Sequence, residues 1–370
     1  MAMQIMGSKL KEIFPTKLLE TLKIMGETGD PGIILIKNFP VDVNIPKAET
    51  VKQRSEQKGN ASEGAILGSV NLMGYKLHSN PKEQEGRVIH NISPVSGFET
   101  TKSSKGRDPF YLHIENPFEQ SPPDFLILAG LEGDPNAKTT YFFAEGFIAA
   151  LPEWVVETMK KPEFEIRSGA GFDDVESGLF SLISQEKDTG RLRLRLYQSD
   201  ERINPLTDNA SKALAHLMEA FKGVESRGEI RGIGLEPGEA IIFNNGWGLD
   251  KITGIMHGRG GFVENPGRWL QWGFLYKQDE SDVPKIAEGY FDAINLALTD
   301  RNNFSLKDAA NILGKAMLES DSCRKYKEQN PTATDAQVAL YGSDPQKNNS
   351  GNWLKRITSE AVAHNQEQSR

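Results

Sequence analysis

Short apolar segments, several of them alternating with polar positions, occupy the middle of the chain. Strict alternation is typical of a strand with one buried face, and a short continuous apolar run is typical of a strand buried on both faces. On this pattern we predict strands at residues 33–39, 87–92, 110–115, 124–131, 139–143, 191–197, 234–245 (after a turn) and 268–277. The arginines that alternate along 191–197 are predicted to form a solvated face.

Helical periodicity appears on both sides of this β-rich region and within it. We predict helices at residues 15–28, 147–160 and 208–222, and a helix followed by a loop at 47–62. After residue 279 the pattern is helical, at 284–298, 305–320 and 333–340. The order of elements favours a mainly β fold with flanking helices. We expect a double-stranded β-helix (jelly-roll, cupin-like) core over 1–280, and a helical C-terminal extension over 281–370.

Composition narrows the class of protein. The chain has 370 residues, 38% hydrophobic and 25% charged, which is ordinary for a globular protein with a large core. Its net charge of −8 argues against nucleic acid or an anionic membrane as main partner. No apolar run approaches the ~20 residues of a membrane helix, and the first residues lack the apolar stretch of a secretory signal. The single cysteine, Cys323, excludes an internal disulfide, so we expect a cytoplasmic protein.

Two residues of the predicted strand 110–115 can share one face. Alternate side chains of a strand point to the same side, so His113 and Glu115 would project together while Ile114 packs behind them. With 6 histidines and 51 acidic residues in the chain, roughly 0.8 pairs of this spacing are expected by chance, so the pair alone is weak evidence. One distant histidine, for which His257 is the candidate, would complete the two-histidine, one-carboxylate set that holds non-haem Fe(II).

A series of motifs surrounds these residues in a consistent order. They occupy residues 73–75, 83–95, 113–118, 124–128, 139–141, 257–259 and 268–271. In this order they resemble the clavaminate synthase-like branch of the Fe(II)/2-oxoglutarate-dependent oxygenases of TauD type, which includes hydroxylases of free amino acids. The resemblance covers residues 74–276. Elimination also favours His257 as the distal ligand, because the remaining histidines lie before the metal strand, in a predicted helix or in the polar tail: His78, His90, His216 and His364.

The resemblance implies a chemistry and a set of residues. It implies that His113, Glu115 and His257 bind Fe(II), and that 2-oxoglutarate is the co-substrate, bound through Thr140 and Arg268. It also implies that O₂ is consumed, succinate and CO₂ are released, and a hydroxyl group is added to the substrate. Related halogenases carry a small residue at the position of Glu115, so an acid there points to oxygenation.

One position departs from the pattern of these enzymes. Members commonly place two arginines four residues apart on the last strand, whereas here Arg268 is followed by Trp272. An indole cannot replace the bidentate match between a guanidinium and a carboxylate. Arg268 could act alone with Thr140, Arg259 could supply the second contact, or the chain could use another co-substrate or have lost activity. For Trp272 itself we favour core packing.

The resemblance also suggests where a substrate would bind. Gln84 belongs to the segment that would approach the α-amino group of an amino acid. Asp173, Asp174, Asp200 and Glu201 fall where related enzymes carry a lid, and carboxylates there would hold a basic side chain. Solvated loop acids are an equally good interpretation of each. We therefore expect a free L-amino acid substrate, and we favour one with a basic side chain.

Two alternative functions stay open at this stage. One is a catabolic dioxygenase of the taurine type, which Glu115 disfavours because those enzymes usually carry aspartate there. The other is a catalytically silent jelly-roll binding protein, which has no need to keep two histidines and an acid together. The C-terminal extension has an apolar stripe at Ile286, Tyr290, Ile294 and Leu298, which would pack on its own chain or form a homodimer.

Overall fold

Antiparallel β-sheets carry most of the chain in the computed structural model, which describes residues 2–42, 45, 58–78, 87–101, 105–168, 177–186 and 189–277. The strands are β1 (Ile33–Lys37), β2 (Tyr75–His78), β3 (Ile89–Ile92), β4 (Phe110–His113), β5 (Phe125–Glu132), β6 (Lys138–Phe143), β7 (Phe164–Arg167), β8 (Ser177–Phe180), β9 (Ile183–Gln185), β10 (Leu192–Leu194), β11 (Ile203–Pro205), β12 (Arg231–Ile233), β13 (Glu239–Asn244), β14 (Trp247–Gly248), β15 (Ile255–Gly260) and β16 (Trp269–Lys277). The helices are α1 (Ala2–Ile13), α2 (Thr16–Thr28), α3 (Ala61–Leu72), α4 (Ala144–Ala149), α5 (Glu153–Met159) and α6 (Asp208–Ser226). The prediction of a mainly β fold with flanking helices is confirmed.

Two of the sheets form the frame of the molecule. The larger has the order β1-β13-β5-β16-β2, with β3 also paired to β16, and the smaller has the order β12-β6-β15-β4. One apolar cluster joins residues of both sheets, including Leu128, Phe243 and Trp272 from the larger and Ile255 from the smaller. The two sheets therefore pack face to face. Two three-stranded sheets, β14-β10-β9 and β11-β7-β8, extend this frame.

The central strands of the large sheet are buried on both faces. Along β5, Leu126 and Leu128 join the cluster between the sheets, whereas Phe125, Ile127 and Ala129 join a second cluster on the opposite face. That second cluster includes side chains from the three N-terminal helices α1, α2 and α3. Because both faces are covered, the sequence of β5 is continuously apolar, as expected for such a strand.

The helices differ from the prediction in two places. Residues 47–57 of the predicted helix and loop lie outside the described residues. Helix α3 begins at Ala61, where the prediction placed the loop, and most of it is buried on all sides. A helix buried all round has no amphipathic period for a sequence pattern to detect. The predicted helix at 147–160 consists of α4 and α5, which Pro152 separates as the residue before the first turn of α5.

The arginines of the segment 191–197 are not solvated, which corrects that prediction. Arg191, Arg193 and Arg195 are all buried. Arg193 Nη2 donates to Asp124 Oδ1 at 2.6 Å, and its Nε donates to Glu186 Oε1 at 2.6 Å. Strand alternation separates two faces but does not show which face solvent reaches, and here other parts of the chain cover both.

Among the residues that the structure describes, no helix is long and apolar enough to span a membrane. The domain boundary predicted near residue 280 and the helical extension predicted for 281–370 lie outside the described residues.

Burial of His90 on β3 predicts a dependence of stability on acid. The imidazole contacts the rings of Trp272 and Phe274, and burial lowers its pKa from 6.5 to about 4. The unfolded chain therefore takes up a proton near pH 6.5, whereas the native chain does so only near pH 4. The His90 contribution to the free energy of unfolding is present above pH 6.5. It is lost as the pH falls towards 4, by about 3 kcal/mol in total.

Urea unfolding of the iron-free protein between pH 7.5 and pH 4.5 measures this effect. The His90→Gln variant removes the titrating group, so its stability should fall less steeply than wild type below pH 6.5. The exposed His216 on α6 supplies the control, because His216→Gln removes a histidine that folding does not bury. A constant difference between wild type and His90→Gln across this range would contradict the prediction.

Candidate metal centre

Two neighbouring strands of the small sheet bring His113, Glu115 and His257 together. His257 on β15 lies directly opposite His113 at the end of β4. Side chains directly opposite each other on paired strands point to the same face of the sheet. Glu115 follows His113 by two residues. Ile114 lies between them and is buried in an apolar cluster separate from the one between the two main sheets. The three side chains therefore project to one side, as the alternation predicts.

The ligand atoms of the three side chains lie close to one another. Glu115 Oε2 lies 3.5 Å from His113 Nε2 and 3.5 Å from His257 Nε2. One ligand atom from each residue lies within 4.8 Å of the others, and all three residues are buried. Two imidazole nitrogens and one carboxylate oxygen form the facial triad typical of non-haem Fe(II) sites, in which the other coordination positions stay open.

The orientations of the two imidazoles suit metal binding. His113 Nδ1 lies 2.8 Å from the backbone carbonyl of Tyr111, to which it donates, so Nε2 is the ring nitrogen that points towards the other two ligands. Burial, and after it the neighbouring His113, hold the pKa of His257 well below the ordinary value of 6.5. A neutral imidazole is the form that binds a metal ion.

Buried ligand atoms without partners test whether this set fits a cation. Within the described part of the chain, Glu115 Oε2 and His257 Nε2 are buried and accept no hydrogen bond. A buried carboxylate oxygen with no donor is unfavourable by several kcal/mol, roughly, unless a cation compensates it. The donor set and its unsatisfied atoms therefore both fit a divalent metal ion.

Asn245 fixes the backbone that carries Glu115. Its Oδ1 accepts a hydrogen bond from the Glu115 N–H at 2.8 Å, and its Nδ2 donates to the Glu115 carbonyl at 3.1 Å. The same Nδ2 donates to the carbonyl of Pro123 at 2.8 Å. This buried amide thus satisfies both backbone groups of Glu115 just after β4 has ended. Asn116 follows with φ 48°, which turns the chain away from the site.

A cavity opens beside the three ligands, between the two sheets. It is lined by Ile92, Phe110, His113, Leu128, Thr139, His257, Gly258, Arg259, Arg268, Leu270 and Trp272. Arg259 Nε and Nη2 donate to the Asp108 carbonyl at 3.1 and 2.5 Å. Among the described residues no carboxylate lies within ion-pair distance of Arg268, and its Nη1 is buried without a hydrogen-bond partner.

Positive charge in this cavity favours an anionic ligand. Burial, and after it the charge of Arg259, lower the pKa of Arg268 to about 10. Burial likewise lowers the pKa of Arg259 to about 10. Both guanidinium groups remain charged near neutral pH, so two cations lie in the wall of one small apolar cavity. An anion bound between them would relieve their repulsion and supply the acceptors that Arg268 lacks.

The threonine predicted to contact the co-substrate, Thr140, lies on the face of its strand opposite to His257. Along β6, Thr140 pairs with Gly258 and Thr139 pairs with Arg259. Paired residues share a face, so Thr140 lies on the side opposite to His257 and Arg259. Thr139 is buried and lines the cavity. Sequence spacing selected Thr140, but the register of β6 against β15 selects its neighbour.

The residues predicted for substrate binding are only partly described. Gln84, Asp173 and Asp174 lie outside the described residues. Asp200 and Glu201 are exposed, in a 3-10 helix at Asp200–Arg202 that Ser199 caps. They lie shortly after Tyr197, whose ring stacks on His113 with ring centroids 6.3 Å apart. The structure thus places these two acids on the surface and does not place them among the lining residues of the cavity.

A wider groove elsewhere in the molecule lacks the features of an active site. It lies between α1 and α3 and has a volume of about 420 Å³. Its lining residues are mainly apolar, with one lysine: Met6, Lys9, Leu10, Ile13, Pro40, Ala61, Gly64 and Ala65. No histidine or carboxylate is among them. The cavity beside the triad is smaller, but chemically active groups converge only there among the described residues.

The hydrogen bonds from Asn245 to the Glu115 backbone predict a role for Asn245 in metal binding. Asn245→Ala leaves the Glu115 N–H and carbonyl buried without partners, which should lower the free energy of unfolding by about 2 kcal/mol. The looser carboxylate should also weaken Fe(II) binding by roughly 10 to 100-fold. Anaerobic competition with a chelator measures this affinity.

Asn204→Ala is the matched control for that prediction. Asn204 on β11 is exposed and donates to Glu165 at 3.0 Å. Strand β11 belongs to a different sheet from β4. Its replacement should leave Fe(II) affinity unchanged. Equal Fe(II) affinity in wild type and Asn245→Ala would show that the hydrogen bonds of Asn245 do not position Glu115 for metal binding.

Comparison with known proteins agrees with this geometry. No family model matches the chain. The L-asparagine oxygenase of Streptomyces coelicolor is 24% identical over 273 residues, 71% of this chain and 77% of that protein. The structure of asparagine oxygenase with Fe(II), (2S,3S)-3-hydroxyasparagine and succinate matches with a TM-score of 0.58 and 23% identity, over 71% of this chain and 80% of that one.

A second solved structure extends the likeness to another amino acid. The non-haem iron oxygenase OrfP, in complex with Fe, succinate and (3S)-hydroxy-L-Arg, matches with a TM-score of 0.54 and 15% identity. The match covers 75% of this chain and 91% of that chain. Together these likenesses confirm the predicted resemblance to non-haem iron amino acid oxygenases of the clavaminate synthase-like type, whose fold the chain shares.

Proposed function

We propose that the protein is an Fe(II)/2-oxoglutarate-dependent dioxygenase that hydroxylates the side chain of a free L-amino acid. In the overall reaction the substrate, 2-oxoglutarate and O₂ give the hydroxylated amino acid, succinate and CO₂. The observation that carries this proposal is the buried set His113, Glu115 and His257, with unpartnered ligand atoms, beside a cavity in whose wall Arg268 Nη1 is buried without a hydrogen-bond partner. The two facing sheets would then be the halves of a double-stranded β-helix.

The protein's own residues would hold and isolate the reacting groups. Fe(II) bound to the triad would supply the activation of O₂. His113 would bind it through Nε2, since its Nδ1 is held by the Tyr111 carbonyl. Phe110 and Phe243 pack against the two imidazoles, with ring centroids 4.5 and 4.7 Å from those of His113 and His257. These apolar contacts would exclude water from the two imidazoles.

A dicarboxylate co-substrate suits the charge of the cavity. Arg268 lies in its wall with Nη1 buried and unpartnered, and would form the ion pair with the carboxylate distant from the metal. Thr139, on the face shared with His257 and Arg259, would donate its hydroxyl to the same carboxylate. We assign this role to Thr139 in place of Thr140. Arg259, tied to the Asp108 carbonyl, would contribute charge more than direct contact.

Substrate identity rests on the relatives and on the surface acids. One relative is named for asparagine and the other was solved with a hydroxylated arginine, so a neutral and a basic side chain are both represented. Asp200 and Glu201 are exposed shortly after Tyr197, whose ring stacks on His113, and a lid over a basic side chain would use them. Gln84, Asp173 and Asp174 remain candidates from the sequence. We therefore keep a basic amino acid as the hypothesis to test first.

Two further proposals rest on the sequence alone. A cytoplasmic location is proposed from the single cysteine, Cys323, since reducing compartments do not favour disulfides. The apolar stripe at Ile286, Tyr290, Ile294 and Leu298 would pack on its own chain or, as the alternative, form a homodimer. Neither proposal enters the mechanism.

A substrate screen tests the proposed function. The iron-loaded protein should release succinate from 2-oxoglutarate in the presence of one or a few of the twenty amino acids and their common derivatives. Mass spectrometry should detect a gain of one oxygen in the same compound. His257→Ala should lose both signals, whereas His216→Ala, altered on the exposed surface of α6, should keep them.

Each outcome of the screen favours or rejects a different hypothesis about the function. Succinate release with taurine but with no amino acid would favour the taurine-type enzyme. No succinate release with any compound, despite bound iron, would favour a silent binding protein. Reaction with neutral amino acids but not with lysine, arginine or ornithine would reject the basic side chain and leave the oxygenase proposal intact.

A pair of threonine variants tests the co-substrate site. Thr139→Val removes the cavity hydroxyl while keeping the shape of the side chain, and should raise the dissociation constant for 2-oxoglutarate by roughly tenfold. Thr140→Val makes the same change on the opposite face and should leave it unchanged. Anaerobic titration of the iron-loaded protein with 2-oxoglutarate measures both. A larger effect at Thr140 would reinstate the residue that sequence spacing favoured.

A further inference from the structure

Trp272 occupies an unusual position for a core tryptophan. It lies on β16, four residues after Arg268, and both side chains line the cavity beside the triad. Its ring contacts those of His90 and Phe274, with centroids 5.9 and 5.1 Å away. Within the described part of the chain, however, its buried Nε1 has no hydrogen-bond partner.

The other buried indoles of the described chain show how such groups are normally satisfied. Trp247 Nε1 donates to the carbonyl of Asp124 at 2.9 Å, and Trp269 Nε1 donates to Asn91 Oδ1 at 2.8 Å. Trp154 is largely exposed and can donate to water. A buried N–H without an acceptor is unfavourable by about 1–3 kcal/mol. Core packing alone therefore explains the ring of Trp272 but leaves its N–H unexplained.

We propose that the Trp272 indole N–H donates a hydrogen bond to the distal carboxylate of the co-substrate, beside the ion pair formed by Arg268. This inference rests on the proposed function and deepens it by assigning the position where resembling enzymes carry a second arginine. Trp272 is a binding residue in this account, since it touches the co-substrate directly.

The charges of the cavity explain why an indole suits this position. Arg268 and Arg259 already place two buried guanidinium groups there, and the charge of Arg259 adds to burial in lowering the pKa of Arg268. A third arginine would add repulsion in a small, largely apolar cavity. An indole supplies one hydrogen-bond donor and a large apolar surface without another charge. The carboxylate would then be bound by one cation and by neutral donors from Trp272 and Thr139.

A comparison of two ligands isolates this hydrogen bond from the packing of the ring. Trp272→Phe keeps an aromatic ring and removes the N–H. Calorimetry measures how tightly wild type and the variant, both iron-loaded and anaerobic, bind two ligands. The ligands are 2-oxoglutarate and 2-oxopentanoate, which lacks the distal carboxylate. We expect the variant to bind 2-oxoglutarate roughly tenfold more weakly than wild type does, and 2-oxopentanoate equally well.

The controls separate this inference from the function on which it rests. Trp269→Phe removes an indole N–H that is bonded to Asn91, and should leave both affinities unchanged. Equal weakening of both ligands in Trp272→Phe, or no weakening, would overturn the hydrogen bond while the oxygenase proposal stands. Failure of the wild-type protein to bind 2-oxoglutarate with Fe(II) would overturn the oxygenase proposal and the inference together.

Discussion

A buried carboxylate between two imidazoles, one of which burial holds neutral, is the constraint on which the rest of the structure depends. Glu115 Oε2 lies 3.5 Å from an imidazole nitrogen on each side, with no hydrogen-bond donor in the described part of the chain. Such an arrangement is unfavourable in a protein interior unless a cation occupies it. The fold maintains it because β4 and β15 pair in the register that sets His113 opposite His257.

The support for this arrangement reaches across the molecule. Asn245 holds the backbone of Glu115, and its own N–H donates to the carbonyl of Asp124 at 2.9 Å. The Asp124 carboxylate is in turn paired with Arg193 at 2.6 Å, and both residues are buried. Removing one partner of such a pair leaves a buried charge uncompensated, which is strongly destabilising. The ion pair of the β10 strand thus helps to fix the start of β5 and, through Asn245, the metal ligand.

Much of the site could be predicted from the sequence because it depends on strand periodicity and motif order. His113 and Glu115 are two residues apart at the end of a strand, and their shared face follows from alternation. The apolar runs of β5 and β16 are long enough to be identified as strands without any structure. The position of His257 required the resemblance, because nothing in its local pattern shows that its strand lies beside β4.

The remaining features depend on contacts that leave no local pattern. A shift of one residue moves a side chain to the other face of a sheet, so Thr139 and Thr140 could not be distinguished without the pairing of β6 with β15. The role of Asn245 depends on hydrogen bonds to residues 122 and 130 positions away. The unpartnered N–H of Trp272 likewise becomes visible only when the hydrogen-bond partners of the three indoles buried in the described residues are compared.

The central claim is that the carboxylate of Glu115 completes a site for Fe(II), and its most direct test is stabilisation by the metal. Thermal unfolding is measured anaerobically with and without Fe(II), for wild type and for Glu115→Gln, which keeps the side-chain shape and removes the charge. Fe(II) at 100 times its dissociation constant should stabilise wild type by about 2.7 kcal/mol. The Gln variant should lose most of that stabilisation. No effect of Fe(II) on wild type, or an equal effect on both proteins, would contradict the account.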